Sequence, residues 1–384
     1  MNTAYITYAQ MEEQAVSHYR HYGARTSFKS IAQYLFRQQK YQTGTPALPG
    51  DIMWGSLDDA AFFEILGQLP VQNIFTGPDP LSGMEYTIAA EAIMPETLEV
   101  YSIKYIRDII EKMHTHNFFE LNYVFSGTCS MLFENEARQL KEGELCIIAP
   151  HSRHDVTVTD DSVVVSLMLR KNTFETTFFH LLAQEDLLAS FFRSILYSNK
   201  ESANYMLFVT DNSSEIRSAI KNIFMESYVR DSYSNTCIIS RMHLFFSLLL
   251  RGYSGSIQFY ENQKTPGSHA SFTQLLQYIQ SHYQTLTLDT LAAAFHYNPS
   301  YLSRLIKKNT GQTLIEILTK LRISKASDLL LYTDLKIDDI ARAVGYDSAD
   351  HFSRQFKKMR GTSPSELRKS ATAPPSAACS TPES

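Results

Sequence analysis

Along residues 118–169, apolar and polar positions alternate in short runs broken at Asn135-Glu136 and at Lys141-Glu142-Gly143, the pattern of half-buried strands closed by turns. From residue 174 to 250 the period lengthens to that of helices and ends in a run from Met242 to Leu250 whose Leu/Phe face suits a core. A Gly/Ser/Pro-rich stretch, 252–271, reads as a linker. Helical spacing then resumes: Leu288, Leu291, Ala292 and Phe295; Leu302, Leu305 and Ile306; Ile317, Leu318, Leu321, Ala326, Leu329 and Leu330; Phe352 and Phe356. In the first 98 residues only 15–22 and 28–38 read as helices, with Trp54, Phe62 and Phe63 expected to be buried, and no function is legible there. The end of the chain, 371–384, reads ATAPPSAACSTPES and is expected to be disordered.

The last helical stretch repeats itself at an offset of 49 to 50 residues. Leu291-Ala292, Tyr297, Ser303-Arg304, Lys307-Lys308, Gly311, Thr313 and Glu316 recur as Ile340-Ala341, Tyr346, Ser353-Arg354, Lys357-Lys358, Gly361, Ser363 and Glu366. The offset grows by one between the tyrosine and the Ser-Arg pair, so the second copy has one more residue in its turn. Each copy predicts a helix-turn-helix. Asn298 with Pro299, and Ser348, are N-cap signals; Gly311 and Gly345 are stops; Thr313-x-x-Glu316 and Ser363-x-x-Glu366 are capping boxes. The helix between the copies, 314–333, would run about 30 Å. That is close to the roughly 34 Å between successive major grooves on one DNA face.

Composition sharpens this division. The chain has 384 residues, 44% hydrophobic, 12% aromatic and 20% charged, so it should fold, and into more than one unit. Its net charge of −5 argues against a nucleic-acid binder only as an average. Residues 272–370 carry 14 Lys and Arg against 9 Asp and Glu, and the remainder 21 against 31. A basic reader is joined to an acidic partner region. No leader-like start or membrane-length apolar run is present, so a cytoplasmic chain is expected. Cys129, Cys146, Cys237 and Cys379 lack metal-type spacing and are expected to be reduced.

Residues 272–370 resemble the DNA-binding domain of AraC/XylS-type transcription regulators. The second copy carries the signature: residues 340–346 (IARAVGY), 352–358 (FSRQFKK), 361–364 (GTSP) and Arg368, with Leu367 where an aromatic residue is common. The resemblance implies base reading by Ser300, Ser303 and Arg304 in the first recognition helix and by Ala349, Asp350, Ser353 and Arg354 in the second. Arginine suits guanine and aspartate suits cytosine. Lys307, Lys308, Lys357 and Lys358 are expected on phosphates, and Tyr297 and Tyr346 in the core.

Upstream, His114-x-His116-x-x-x-Glu120, Gly127, then Gly143 to Pro150 and His154 form a second constellation. Imidazole and carboxylate here suit three roles: ligands for zinc, iron or manganese, polar groups lining a ligand pocket, or satisfied core histidines. The arrangement resembles the cupin motifs, departing at Ser152, where a glycine is expected, and at His154, which is shifted by one. Placed ahead of the DNA-binding domain, it looks like the sugar-sensing cupin of AraC-type regulators, which implies a ligand pocket at His114, His116, Glu120 and His154. His180 and His243 are expected to be structural.

The expected fold class is α+β: a cupin-like β-barrel with flanking helices, then an all-α double helix-turn-helix domain. The expected divisions are an N-terminal segment of unclear role (1–98), a ligand-sensing domain (99–171), a helical dimerisation region (172–251), the linker (252–271), the DNA reader (272–370) and the tail (371–384). The expected function is that of a non-enzymatic, sequence-specific transcription regulator answering to a small polar ligand such as a sugar. No cofactor or resident metal is expected. Expected partners are double-stranded DNA, a small-molecule effector, a second copy of the chain and RNA polymerase, with no membrane. The alternative is a cupin metal-dependent oxygenase or isomerase built on the same four residues; a third reading is a constitutive DNA binder whose barrel only dimerises.

Overall fold

The computed structural model describes residues 4–46, 54–71, 86–110, 112–179, 205–253, 256–259 and 269–372. His180, Cys379, most of the expected linker and most of the tail lie outside these residues. The described chain forms two compact units, one running through residue 270 and the other from residue 271 onward.

The first unit is built on two facing sheets. One has the order β3 (Tyr86–Ile88), β5 (His114–His116), β10 (His154–Val158), β7 (Thr128–Phe133), β8 (Glu136–Lys141). The other runs β13 (Gln258–Phe259), β12 (Tyr205–Val209), β9 (Glu144–Ile148), β6 (Phe119–Ser126), β11 (Val163–Leu169), β4 (Val100–Lys104). A small ribbon pairs β1 (Ala4–Tyr5) with β2 (Gln42–Thr43). Cys129, Met131, Phe133, Leu140 and Val156 from one sheet meet Val124, Cys146, Ile148, Val164 and Leu207 from the other in a single core. The two predicted turns fall between β7 and β8 and between β8 and β9; at the latter, Gly143 takes a φ of +79° and its hypothetical Cβ would lie 2.7 Å from the Asn212 backbone. Burial pushes the Cys129 thiol up to about 12 and the Cys146 thiol up as well, so both behave as core residues. Cys237 is exposed.

Residues 205–209 depart from the helical expectation for 174–250. Tyr205-Met-Leu-Phe-Val209 is a strand paired antiparallel with β9. It is covered on both faces, so its side chains do not alternate, and a short apolar run of that kind has no period that separates strand from helix. The helical expectation holds further along, in α6 (Ser214–Val229) and α7 (Ser234–Tyr253).

The N-terminal segment, silent in sequence, packs into this first unit. Its helices are α1 (Tyr8–Tyr22), α2 (Phe28–Arg37) and α3 (Asp59–Gln68), with a short α4 (Ala90–Ile93) before the first long strand and α5 (Lys171–Phe174) after the last. The capping box of Thr7 and Gln10 starts α1 at Tyr8, about two turns before residue 15. Phe62 is fully buried between Phe125 of β6 and Phe224 of α6, while Trp54 and Phe63 are only half-buried. Lys221 of α6 reaches back to the Leu57 carbonyl at 2.6 Å and to Asp59 at 2.8 Å.

The second unit is all-helical: α8 (His269–His282), α9 (Leu288–Ala294), α10 (Pro299–Thr310), α11 (Leu314–Tyr332), α12 (Ile337–Ala343), α13 (Ala349–Arg360) and α14 (Pro364–Thr372). The two helix-turn-helix copies are α9–α10 and α12–α13. Phe352 and Phe356 of α13 pack with Ile323, Ala326 and Leu330 of α11 and Ile340, Ala341 and Val344 of α12, and Leu367 joins this cluster. Arg322 of α11 donates to the Tyr283 and Gln284 carbonyls beyond α8 at 3.0 and 2.9 Å. Among the described residues no helix is long and apolar enough to cross a membrane.

Candidate functional site

In the second unit each recognition helix is started and stopped by its own side chains. The Asn298 carboxamide accepts from the backbone N–H of Ser300, Pro299 occupies the first helical turn, and Gly311 ends α10 at φ +70°. Ser348 caps α13 and Gly361 ends it at φ +78°. The turns match too. Tyr297 N–H donates to the Ala292 carbonyl and Tyr346 N–H to the Ala341 carbonyl, both at 2.9 Å. The left-handed turn residue is His296 (φ +55°) in the first copy and Gly345 (φ +90°) in the second. Only glycine fits the second position, because a Cβ on Gly345 would lie 2.1 Å from the Gln284 carbonyl oxygen. The copies differ by the extra residue between Tyr346 and its cap.

These frames put the expected readers on the surface. Ser300, Arg304, Asp350 and Arg354 are exposed, Ser303 and Ser353 half-buried, and Ala349 packs against the second core. Arg304 Nε donates to the Ser300 carbonyl and Arg354 Nε to the Asp350 carbonyl, each at 3.3 Å, so the two guanidinium groups are anchored one turn back in the same way. Lys307, Lys308, Lys357 and Lys358 are exposed in the last turns of these helices. Tyr346 is buried as expected, whereas Tyr297 is only half-buried and stacks at a tilt beside Tyr301. Helix α11, 19 residues long, spans about 28 Å between the copies. Its capping box closes as predicted, with Thr313 N–H donating to Glu316 at 2.7 Å and Glu316 N–H to the Thr313 hydroxyl at 3.3 Å.

In the first unit the fold gathers all four sensor residues. Strand β5 carries His114 and His116, β6 carries Glu120 and β10 carries His154, which is paired in register with His114. Glu120, His116 and His154 are at most 2% exposed. Each imidazole is oriented by a backbone carbonyl: His114 Nδ1 on Lys112 at 2.8 Å, His116 Nδ1 on Phe118 at 2.8 Å, His154 Nδ1 on Ser152 at 3.0 Å. That turns Nε2 of His116 and of His154 toward Glu120 Oε2, at 3.0 and 3.2 Å. The other carboxylate oxygen accepts from the Tyr105 hydroxyl and from Ser166 Oγ at 3.3 Å.

The charges follow from this geometry. Burial alone would raise the Glu120 carboxyl, but hydrogen bonds from His116 and His154 outweigh it and hold the group well below the usual carboxylate range. Burial also works against a charged His154, yet the hydrogen bond and charge of Glu120 prevail and raise it. For His114 burial wins and pushes the ring down to about 3; His116 is lowered for the same reason. Glu120 is held as the carboxylate, His154 is the ring that most favours a proton, and His114 and His116 favour the neutral form.

The residue types suit a divalent ion, and ligand atoms of His114, Glu120 and His154 lie within 4.8 Å of one another. Glu120, however, is engaged on both oxygens by protein groups, so an ion would have to compete with them for the carboxylate.

A cavity opens beside the cluster. It encloses about 50 Å³, and Tyr105, His114 and Glu120 line it together with Tyr8 and Phe28 of the N-terminal helices. Lys104, buried in β4, lines it too and is ion-paired to Glu12 of α1. Tyr105, Ser166, Lys104, Glu12 and Tyr8 carry no motif. The one local signal was a lysine closing the apolar strand Val100–Lys104.

Comparison with known proteins matches the AraC-like ligand binding domain family to residues 97–249 and a helix-turn-helix domain family to residues 291–370. The chain is 26% identical over 257 residues to the HTH-type transcriptional activator RhaS of Klebsiella pneumoniae (strain 342), covering 66% of this chain and 86% of that one. It is 27% identical over 259 residues to RhaS of Escherichia coli O6:H1, with the same coverage. Among solved structures, the C-terminal domain of AraT, a response regulator from Geobacillus stearothermophilus, matches with 45% identity over 25% of this chain and 82% of its own, at a TM-score of 0.25. ToxT from Vibrio cholerae matches with 16% identity over 72% of this chain and 100% of its own, at a TM-score of 0.28.

Proposed function

Because the chain belongs to the AraC family of helix-turn-helix transcription regulators, a non-enzymatic family in which an AraC-like ligand-binding domain accompanies the DNA reader, we propose that it reads an operator through α10 and α13 and answers to a small molecule bound beside Glu120. The family removes the oxygenase or isomerase reading.

The observation that carries the reader's part is the paired arginines. Two helices, each begun by a side-chain cap and stopped by a glycine, hold an exposed guanidinium at the matching position, anchored one turn back by its Nε. Such a group pairs with the two acceptors of guanine, while Ser300, Ser303, Ala349, Asp350 and Ser353 set what neighbouring bases are tolerated. The four lysines fix register on phosphate. In the sensor, an effector, whether a sugar or a less polar molecule, would meet Tyr105, His114 and Glu120 at its polar end, with His116 and His154 holding the carboxylate in place. Pairing of two copies through α7 is part of this reading. The matching relatives are named transcriptional activators, and an activating role would bring RNA polymerase to the DNA-bound chain.

Mobility-shift titration against randomised operators tests the reader. Arg304→Ala or Arg354→Ala is expected to cost about 1–3 kcal/mol and to relax preference at one base pair, while Lys307→Ala weakens binding to all sequences alike. Unchanged base preference in both arginine variants overturns the assignment.

A further inference from the structure

We propose that the effector is an uncharged small molecule with an apolar body and a single hydrogen-bonding head, such as an aryl or cycloalkyl alcohol, and not a polyhydroxylated sugar. This rests on the ligand-responsive reading above and names the ligand's chemistry.

The cavity wall makes the case. Ile88, Ile93, Ile103, Ile106, Ile109 and Met168 line it, with the rings of Phe28 and Phe118. Ile93, Ile103, Phe118 and Met168 belong to one buried apolar cluster, against which Ile88 packs. Surface of this kind rewards an apolar body with about 25 cal/mol for each Å² removed from water. Polar side chains are the minority of the lining, at Tyr8, Lys104, Tyr105, His114 and Glu120, against eight apolar residues. A sugar ring carries hydroxyls around its whole circumference. Those facing the isoleucines would be buried without partners, at about 1–3 kcal/mol each.

The charges of the site are already balanced within the protein. Lys104 is paired with Glu12, and the Glu120 carboxylate receives donors on both oxygens. A charged ligand would have to leave water and find both carboxylates and the lysine engaged, which favours a neutral head.

Four of the thirteen lining residues come from the first 98. Tyr8, Phe28, Ile88 and Ile93 all lie there, which assigns the N-terminal segment a part in ligand recognition. The cavity of about 50 Å³ holds water but not a six-membered ring; a benzene-sized guest needs about 150 Å³. Binding therefore has to part the N-terminal helices from the sheet. The Tyr8 hydroxyl accepts from the Lys104 backbone N–H and contacts the Tyr228 hydroxyl of α6, each at 3.2 Å, so a shift at Tyr8 is felt at the end of α6.

The test uses the full-length protein. Cyclohexanol and benzyl alcohol are titrated at millimolar concentration against xylose and glucose, reading the melting midpoint of the sensor and, in parallel, operator affinity. A saturable rise of at least about 3 °C with the alcohols and none with the sugars is expected. Ile88→Phe, which fills the cavity from a half-buried position, should keep the wild-type circular dichroism and lose the rise. Stabilisation by the sugars alone, or by neither class, overturns the proposed class. Stabilisation by the alcohols with operator affinity identical in their presence and absence instead overturns the ligand-responsive reading while the site's chemistry stands.

Discussion

The two units place their chemistry in opposite surroundings. The sensor buries a carboxylate and two imidazoles, with His114 half-buried beside them, where the groups have to satisfy one another. The reader displays its arginines and lysines on helix surfaces whose fold depends on other residues, chiefly Phe352, Phe356 and Tyr346. Function and stability are therefore entangled in the first unit and separable in the second. A residue of the sensor site is also part of what holds the sensor together, whereas the exposed Arg304, Arg354 and four lysines of the reader stand outside its core.

The sharpest break of that contrast comes from Glu120→Ala. Removing the carboxylate takes away the buried acceptor of His154 Nε2, the Tyr105 hydroxyl and Ser166 Oγ, and the sensor should lose roughly 3 kcal/mol or more, at about 1–3 kcal/mol for each donor deprived of it. Denaturant unfolding followed by a sensor-specific probe checks this, while affinity for non-specific DNA should stay at the wild-type value.

Acidity acts on the same unit. Below about pH 6.5 the unfolded chain takes up protons on His114 and His116 that the folded sensor refuses, so stability falls as pH drops. Glu120 steepens that loss below about 4.5, since it protonates in the unfolded chain first. On the alkaline side, the raised His154 gives stability that is fully present below about pH 6.5 and disappears as pH climbs through its folded-state value. Urea midpoints should therefore peak near neutrality for the sensor, and the acid limb should flatten in His114→Phe. A reader midpoint that follows the same curve would break the contrast.

Within the reader, Gly345→Ala should cost about 2 kcal/mol or more, because both the φ of +90° and the Gln284 carbonyl oppose a Cβ. The matching position in the first copy, His296, already carries a side chain, so His296→Ala there should change thermal stability far less. The smallest effect is expected at the cap of α11: Thr313→Ala should cost about 1 kcal/mol and leave base preference intact in the mobility-shift assay.

The reader was legible because its information is local. Asn298, Ser348, Gly311, Gly345 and the two capping boxes act on neighbours within a turn, and the repeat shows each device twice. The sensor's four polar residues were legible as types, but their use was not. Tyr105 and Ser166 reach Glu120 across 15 and 46 residues, and Lys104 meets Glu12 across 92. No spacing rule connects such positions. The strand Tyr205–Val209 was hidden for a different reason, since a run buried on both faces loses its alternation.

The turn absorbs the extra residue between Tyr346 and Ser348: Leu302 and Ile306 of α10 are buried as Phe352 and Phe356 of α13 are, and Arg304 is exposed as Arg354 is. What differs is the side chains carried on that shared face, Ser300 in the first helix against Asp350 in the second. The two half-sites of an operator for this chain are expected to be unlike in sequence. Each is free to drift with its own helix, so that a change at one end of the promoter site can be matched by substitutions in α10 or in α13 alone.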